Sequence, residues 1–348
     1  ALAAGILNTF ERFLVPALTP VLLNVALIAA ALGLSGRLDI PVMALAWGVL
    51  AAGVMQLLFQ WPALARLGLV PRPRWGWRHS GVRRVLKLMV PTLIGSSAAQ
   101  VNLLIDSVIA TFLVTGSVSW LYYSDRLLEF PLGVFGVALA TVILPNLSRK
   151  HAQQSAEAFS DTLDWALRLA TLITLPAAVG LAVLAQPIIS TLFQYGQFQS
   201  DDVVMASLSL VAYAAGLPAF IAIKVLAPGY YARQDTSTPV RFSLIAMGAN
   251  VLLNLAFVGS LLKLGFEGPH AGLAAASAAS GWLNATLLYR GLHRAGVYQP
   301  VPGWTQVALA TIAGCAAMAA LLLWFDPGLA AWSRAEAWAR ALHLTMLI

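Results

Sequence analysis

The stretch Ser117-Val-Ser-Trp-Leu-Tyr-Tyr-Ser-Asp-Arg-Leu-Leu-Glu-Phe-Pro-Leu-Gly133 puts Asp125, Arg126 and Glu129 at the start of an apolar run that continues to residue 147. A run of this length and composition is a membrane-spanning helix, since about 20 mostly apolar residues cross the hydrocarbon layer. Each charge at the centre of such a helix costs roughly 2.5–3.5 kcal/mol on insertion scales. Three within five residues are tolerable only if they face protein or water. Helical geometry selects the face: Ser119, Tyr122, Arg126, Glu129 and Gly133 are spaced by three and four residues and form one stripe. Arg126 and Glu129 can pair, and Asp125 flanks them at four residues from Glu129. The local excess of negative charge calls for a second cation or a proton. A guanidinium held by a carboxylate in a wet cavity is a receptor for phosphate oxygens, because its planar fork of donors matches them. A purely structural staple is the competing reading, but a staple needs two charges and this cluster has three.

The rest of the chain fits the same setting. Of 348 residues, 59% are hydrophobic and 10% charged, against about 25% charged in a soluble domain. Ten apolar segments are expected, near 15–34, 41–62, 86–113, 117–147, 162–192, 202–228, 241–262, 268–291, 304–325 and, beginning a last one, 337–348. Residues 1–10 resemble the tail of an earlier span. With each span crossing once, 14 of the 21 Lys and Arg residues collect on one side, and only Arg37, Lys263, Arg334 and Arg340 on the other. Arg126, Arg168 and Lys224 remain within helices or at their ends. By the positive-inside rule the basic side is cytoplasmic. The +7 net charge therefore reports orientation. It does not point to nucleic acid, which would require a basic face on a soluble domain.

The longest polar stretch, 64–85, interleaves Arg and Trp in a manner suited to the cytoplasmic headgroup layer, and it is the best domain boundary. Pro91, Pro131, Pro176 and Pro218 fall inside spans, where each removes a backbone donor and bends its helix. Four together lean towards a bundle that moves, as in transporters with broken helices. The small-residue run from Ala271 to Gly281 is read as close helix packing.

A second polar constellation joins Asp106, beside Gln100 and Asn102, with Asn250 and Asn254, which share a helix face. Oxygen-only ligands suit a hard cation such as Na⁺. Interhelical hydrogen bonding is the commoner use of such residues. Enzyme chemistry finds no footing. His79, His151, His270, His293 and His343 show no metal-ligand spacing, and the chain has neither a phosphate-binding Gly-x-x-x-x-Gly-Lys-Ser/Thr loop nor a Gly-x-Ser-x-Gly elbow. No catalytic residue or bound cofactor is expected; transport would run on Na⁺ or proton coupling, on the membrane potential, or on another component. Cys315 stands alone in an apolar run, which excludes a disulfide framework. The missing initiator methionine and the apolar final residues suggest a fragment.

The run from Gly116 to Pro145 closely resembles the lipid II flippase (MurJ, MviN) family of the multidrug/oligosaccharidyl-lipid/polysaccharide exporter superfamily. So do Leu192-Phe-Gln-Tyr-Gly196, the run Lys224 to Val240, and Asn8 to Thr19. The resemblance implies an all-α polytopic membrane protein, a fragment of a fourteen-helix, two-lobe transporter lacking roughly its first four helices. On that map residues 1–62 end the N-terminal lobe, 63–85 form a cytoplasmic interlobe linker, 86–294 form the C-terminal six-helix lobe, and 302–348 begin a terminal helix pair. It further implies that the motif helix lines a cationic central cavity in which Arg126 is required, with Asp125, Glu129 and Ser119 around it. The family's other cavity arginines lie in its first two helices. The expected substrate is lipid II, handled in the bacterial inner membrane, with membrane lipids and cell-wall synthesis or division proteins as further partners. An exporter of another lipid-linked polysaccharide or of drugs, or a non-transporting membrane scaffold, is the alternative.

Overall fold

The computed structural model describes residues 2–10, 12, 14–69 and 80–348, and side chains at 2, 8, 9, 84–99, 137 and 334 are also outside the description. Chain contacts divide the protein into two compact units, Ala1–Arg83 and Arg84–Ile348.

In the first unit, α1 (Leu2–Thr9) precedes a hairpin of α2 (Leu14–Leu34) and α3 (Met43–Arg66). The seam of the hairpin is made of small residues, Ala26 and Ala30 on α2 against Ala44, Gly48 and Ala52 on α3. A Cβ on Gly48 would lie 2.9 Å from that of Ala30, so glycine is what permits this approach. Gln56 ties the pair by donating to the Thr19 carbonyl at 2.8 Å. Large apolar residues point outward instead, Leu32 at 83% exposure among them. That inversion of the soluble pattern suits a lipid surround, where close packing of small residues holds helices together.

The second unit begins within α4 (Ser80–Thr111) and continues through α5 (Ser117–Pro131), α6 (Ala138–Ala152), α7 (Ala156–Val183), α8 (Ala185–Phe193), α9 (Ser200–Tyr231), α10 (Ser237–Lys263), α11 (Ala271–Arg294), α12 (Trp304–Phe325), α13 (Leu329–Arg334) and α14 (Ala337–Leu347). Helix α9 is the hub, with α5, α7 and α11 packed around it. Its buried residues occur on several faces, among them Val203, Leu210, Leu217, Ile221 and Val225. The small-residue run of α11 does pack closely. The Phe220 ring lies over Gly281, where a Cβ would meet it at 2.5 Å, and a Cβ on Gly216 would stand 2.8 Å from the Ala278 backbone. Replacing Gly216 by Val should force α9 and α11 apart and cost about 1–3 kcal/mol as an overpacked contact. Thermal unfolding in detergent measures this, and an unchanged melting temperature would contradict the packing described.

Proline acts unevenly. After Pro131 the chain makes a π-helical turn, Leu132–Val137, before resuming as α6. Such turns are a recognised source of kinks. Pro176 and Pro218, by contrast, sit inside α7 and α9 without ending them, and Pro91 falls within α4.

Several expected boundaries need correction. Among the described residues seven helices are long and apolar enough to cross a membrane, so the count of ten is not reached. The expected segment 162–192 breaks at Leu184 into α7 and α8. The expected start of a last segment, 337–348, is the 11-residue α14 (Ala337–Leu347) and keeps its place. At the 63–85 linker, residues 63–66 finish α3 and 80–85 begin α4. Residues 70–79, with Arg72, Arg74, Trp75, Trp77 and Arg78, lie outside the described residues.

Candidate functional site

Helix α5 divides cleanly into two faces. Ser117, Trp120, Leu121, Ser124, Leu128 and Pro131 are buried. Polar anchors fix this face to α9: the Ser124 hydroxyl donates to the Ala206 carbonyl at 2.7 Å, and Trp120 Nε1 donates to Asp202 at 2.8 Å. Asp202 also caps α9 by accepting from the Gln199 backbone N–H at 2.8 Å. Gly116 precedes the helix at φ 104°, and a Cβ there would strike the Trp120 indole at 2.6 Å, so this start requires glycine on two counts. With one face pinned, rotation of the other is set.

That other face is the polar stripe. Ser119, Tyr122, Arg126, Glu129 and Gly133 are all exposed within this unit. Arg126 Nη1 pairs with Glu129 Oε2 at 2.5 Å, with the two side chains 50% and 52% exposed. The guanidinium also lies 5.0 Å from the centre of the Tyr122 ring. Ring and carboxylate hold the long side chain in place while leaving donors free. Asp125 is half-buried on the flank, and among the described residues it forms no ion pair within 4 Å.

The second constellation is also assembled, in the interior. Asp106 on α4 is 7% exposed, and Asn250 and Asn254 on α10 are fully buried. Asn254 Nδ2 donates to Asp106 at 2.6 Å and to Asn250 Oδ1 at 3.1 Å. Two serines on α11, which the sequence reading did not single out, complete it. The Ser277 hydroxyl donates to the other Asp106 oxygen at 3.1 Å, and Asn250 Nδ2 reaches Ser277 and Ser280 at 3.4 Å each. Asn254 Oδ1 is buried without a partner, as is Asn102 Oδ1 one turn before Asp106. Among the described residues no Lys or Arg neutralises Asp106. An orphaned oxygen beside an unpaired buried carboxylate fits a hard monovalent cation or a proton. One carboxylate among neutral amides and hydroxyls is a weak set for a divalent ion. Among the described residues no cluster of three His, Cys, Asp or Glu exists to hold a metal, and Cys315 is free and buried.

Two further polar clusters escaped the sequence reading. Asp164 on α7 accepts from Tyr298 Oη at 2.8 Å, Trp304 Nε1 at 2.7 Å, the Val301 N–H at 3.2 Å and Arg168 Nε at 2.6 Å. Arg168 then donates to the carbonyls of Val301 and Pro302 at 2.6 and 3.0 Å. The connection 295–303 is thereby tied to α7. An Asp and an Arg four residues apart inside an expected span were the available signal. Asp164→Ala removes the buried acceptor shared by these four donors, leaves the Arg168 cation unpaired and should cost about 3–5 kcal/mol. Faster amide exchange in 297–303 would report the release; unchanged exchange would contradict the tether. Arg340, counted above among loop charges, is instead buried on α14. It donates to the Ser190 carbonyl at 2.8 Å and to Gln194 Oε1 at 3.3 Å at the end of α8. There a cation meets the negative end of the helix dipole.

Spans with polar residues on one face and a buried polar network define a multi-pass α-helical membrane protein of transporter type. The sequence profile of the family described as "Lipid II flippase MurJ" matches residues 1–340. A Vibrio cholerae protein named "Probable lipid II flippase MurJ" is 51% identical over 350 residues, covering 100% of this chain and 65% of its own length. A Haemophilus influenzae protein of the same name is 48% identical, covering 100% of this chain and 68% of its own. Among solved structures, one titled "Lipid II flippase MurJ, inward closed conformation" superposes with a TM-score of 0.75 at 25% identity, covering 99% of this chain and 67% of that one. A multidrug-resistance transporter of the MATE family, in outward-facing form, matches at TM-score 0.51 and 16% identity, over 69% of this chain and 54% of its own. That likeness concerns the fold alone. The chain belongs to the lipid II flippase MurJ family, and it spans about two thirds of the length of these relatives.

Proposed function

We propose that the protein moves lipid-linked peptidoglycan precursor, lipid II, from the cytoplasmic to the periplasmic leaflet of the bacterial inner membrane. Transport proceeds by alternating access, with Arg126 contacting the pyrophosphate. The observation that supports this most strongly is the half-exposed Arg126–Glu129 pair on an uncovered polar face of a membrane helix. Ser119 contributes a hydroxyl on the same stripe, Glu129 holds and orients the cation, and Asp125 lies on the flank of the site.

Residues 1–62 then belong to an N-terminal lobe, 63–85 to the link between lobes, 86–294 to the C-terminal lobe and 302–348 to the terminal helices. The Asp106–Asn250–Asn254 network is the coupling site, occupied by Na⁺ or a proton in one of the two access states. Lipid II is preferred to a drug because drug exporters mostly carry cations, which have no use for a guanidinium, whereas the planar donor fork of Arg126 matches pyrophosphate oxygens. Expressed from its complete gene in a strain depleted of its own flippase, the protein should restore growth and make labelled lipid II accessible at the outer leaflet. Normal protein levels with no accessible lipid II would overturn the substrate assignment.

A further inference from the structure

At the end of the second unit that carries the basic loops, a cleft of about 390 Å³ opens between the α6–α7 turn and the loop after α11. Its walls carry Lys150, His151 and Arg233, together with Ser155, Phe159 and Gly296. No carboxylate lines it. Of the nearby acids, Asp161 lines a separate pocket with Lys150 but makes no ion pair with it within 4 Å. Asp235 accepts from the Ser237 hydroxyl and the Thr238 N–H, both at 3.0 Å, which holds its carboxyl below the usual range although its partial burial works the other way. Glu157 is exposed and outside the lining. Arg233 is exposed and its side chain makes no hydrogen bond or ion pair among the described residues. Lys150 donates to the Ala158 carbonyl at 3.0 Å and to the Thr162 hydroxyl, so its ammonium is fixed at the rim with its third donor uncommitted. The N-terminus of the 28-residue α7 opens at the same place, with no side-chain cap from Ser155 and with Glu157 as the acid of its first turn, so its free backbone N–H groups stand beside the Lys150 and Arg233 cations.

We infer that this cleft binds a phosphate-bearing anion, and that its source is the headgroup of an anionic phospholipid in the cytoplasmic leaflet. A second observation selects lipid over a soluble ion. The loop tied to α7 by Asp164 also borders a largely apolar groove of about 410 Å³, lined by Leu167, Leu226, Tyr289, Tyr298, Pro300 and Trp304. Leu167 lies eight residues beyond Phe159 on α7, about 12 Å deeper along the helix axis. A charged cleft at the interface with apolar space below it has the polarity of a phospholipid. The cleft is apart from the Arg126 stripe, and its ligand does not depend on the transported substrate.

The test is thermal unfolding of the purified protein in detergent with added dioleoylphosphatidylglycerol, dioleoylphosphatidylcholine or inorganic phosphate. Phosphatidylglycerol should raise the melting temperature, and the other two should not at the same concentration. Arg233→Gln should weaken the apparent affinity for phosphatidylglycerol about 5-fold, and Lys150→Gln with Arg233→Gln about 25-fold, from roughly 1 kcal/mol per basic residue near an anionic headgroup. Arg290→Gln, outside the cleft, should leave it unchanged. Lys150 also ties α6 to α7, so the double variant risks misfolding; the exposed Arg233 can be replaced alone. Equal stabilisation by phosphatidylcholine, or an undiminished phosphatidylglycerol affinity in Arg233→Gln, would overturn the site. Equal stabilisation by inorganic phosphate would overturn the lipid assignment.

Discussion

Arg126→Glu is expected to abolish growth of a flippase-depleted strain that depends on this protein. Losing a charge-assisted hydrogen bond to phosphate costs about 1.5–3 kcal/mol, some 10- to 100-fold in transport. Reversal adds repulsion, because the introduced carboxylate stands between Asp125 and Glu129 and makes three acids on one short stretch of a membrane helix. Transport below about 1% of wild type follows from the two effects combined. Arg126→Gln separates function from folding. Its side chain is half-exposed and its neighbours on α5 are held from the opposite face by Ser124 and Trp120, so it should fold normally and lose only the 10- to 100-fold contributed by the guanidinium. Full transport by Arg126→Gln would remove Arg126 from the binding site.

Replacing Asp106 should have the second largest effect. In Asp106→Ala, Asn254 and Ser277 lose the acceptor that they meet at 2.6 and 3.1 Å. Each buried donor left unsatisfied costs about 1–3 kcal/mol, enough to lower the melting temperature by several degrees in a domain of this size. Asp106→Asn keeps the shape and removes the charge, and it therefore tests coupling. If the site takes Na⁺, saturating Na⁺ should stabilise the wild-type protein over K⁺ or choline by about 2.7 kcal/mol at a hundred times the dissociation constant. Asp106→Asn should lose that difference. Sodium-dependent stabilisation that persists in Asp106→Asn would place the cation elsewhere, and its absence in both proteins would leave a proton as the coupling ion.

Much of the second unit was legible from spacing. The 3–4 pattern of Ser119, Tyr122, Arg126, Glu129 and Gly133 gave both the stripe and the Arg126–Glu129 pair, because helix periodicity fixes which side chains are neighbours. The same rule put Asn250 and Asn254 on one face. What spacing cannot show is which helix comes to meet that face. Ser277 and Ser280 are ordinary residues of a small-residue run until α11 packs beside α10, and only then do they complete the Asp106 network. Arg340 reads as a loop charge because α14 is short, and its burial arises from docking on α8. Hydropathy also missed the break at Leu184, since both sides of it are equally apolar. Lys150 and Arg233 were counted for orientation only. They lie 83 residues apart, and a cleft between them is a product of the fold.

Water must reach the Arg126 face if phosphate is to bind there. Ser119 is exposed on that stripe, and Cys315, the one cysteine of these 348 residues, is buried, so Ser119→Cys provides a reactive reporter once any cysteine elsewhere in the complete protein is replaced. In the complete protein in membranes, a charged, membrane-impermeant thiol reagent should label this cysteine, and lipid II should slow the labelling. A cysteine inert to the charged reagent but readily modified by an apolar one would place the stripe against acyl chains, and the proposed role of Arg126 would be wrong.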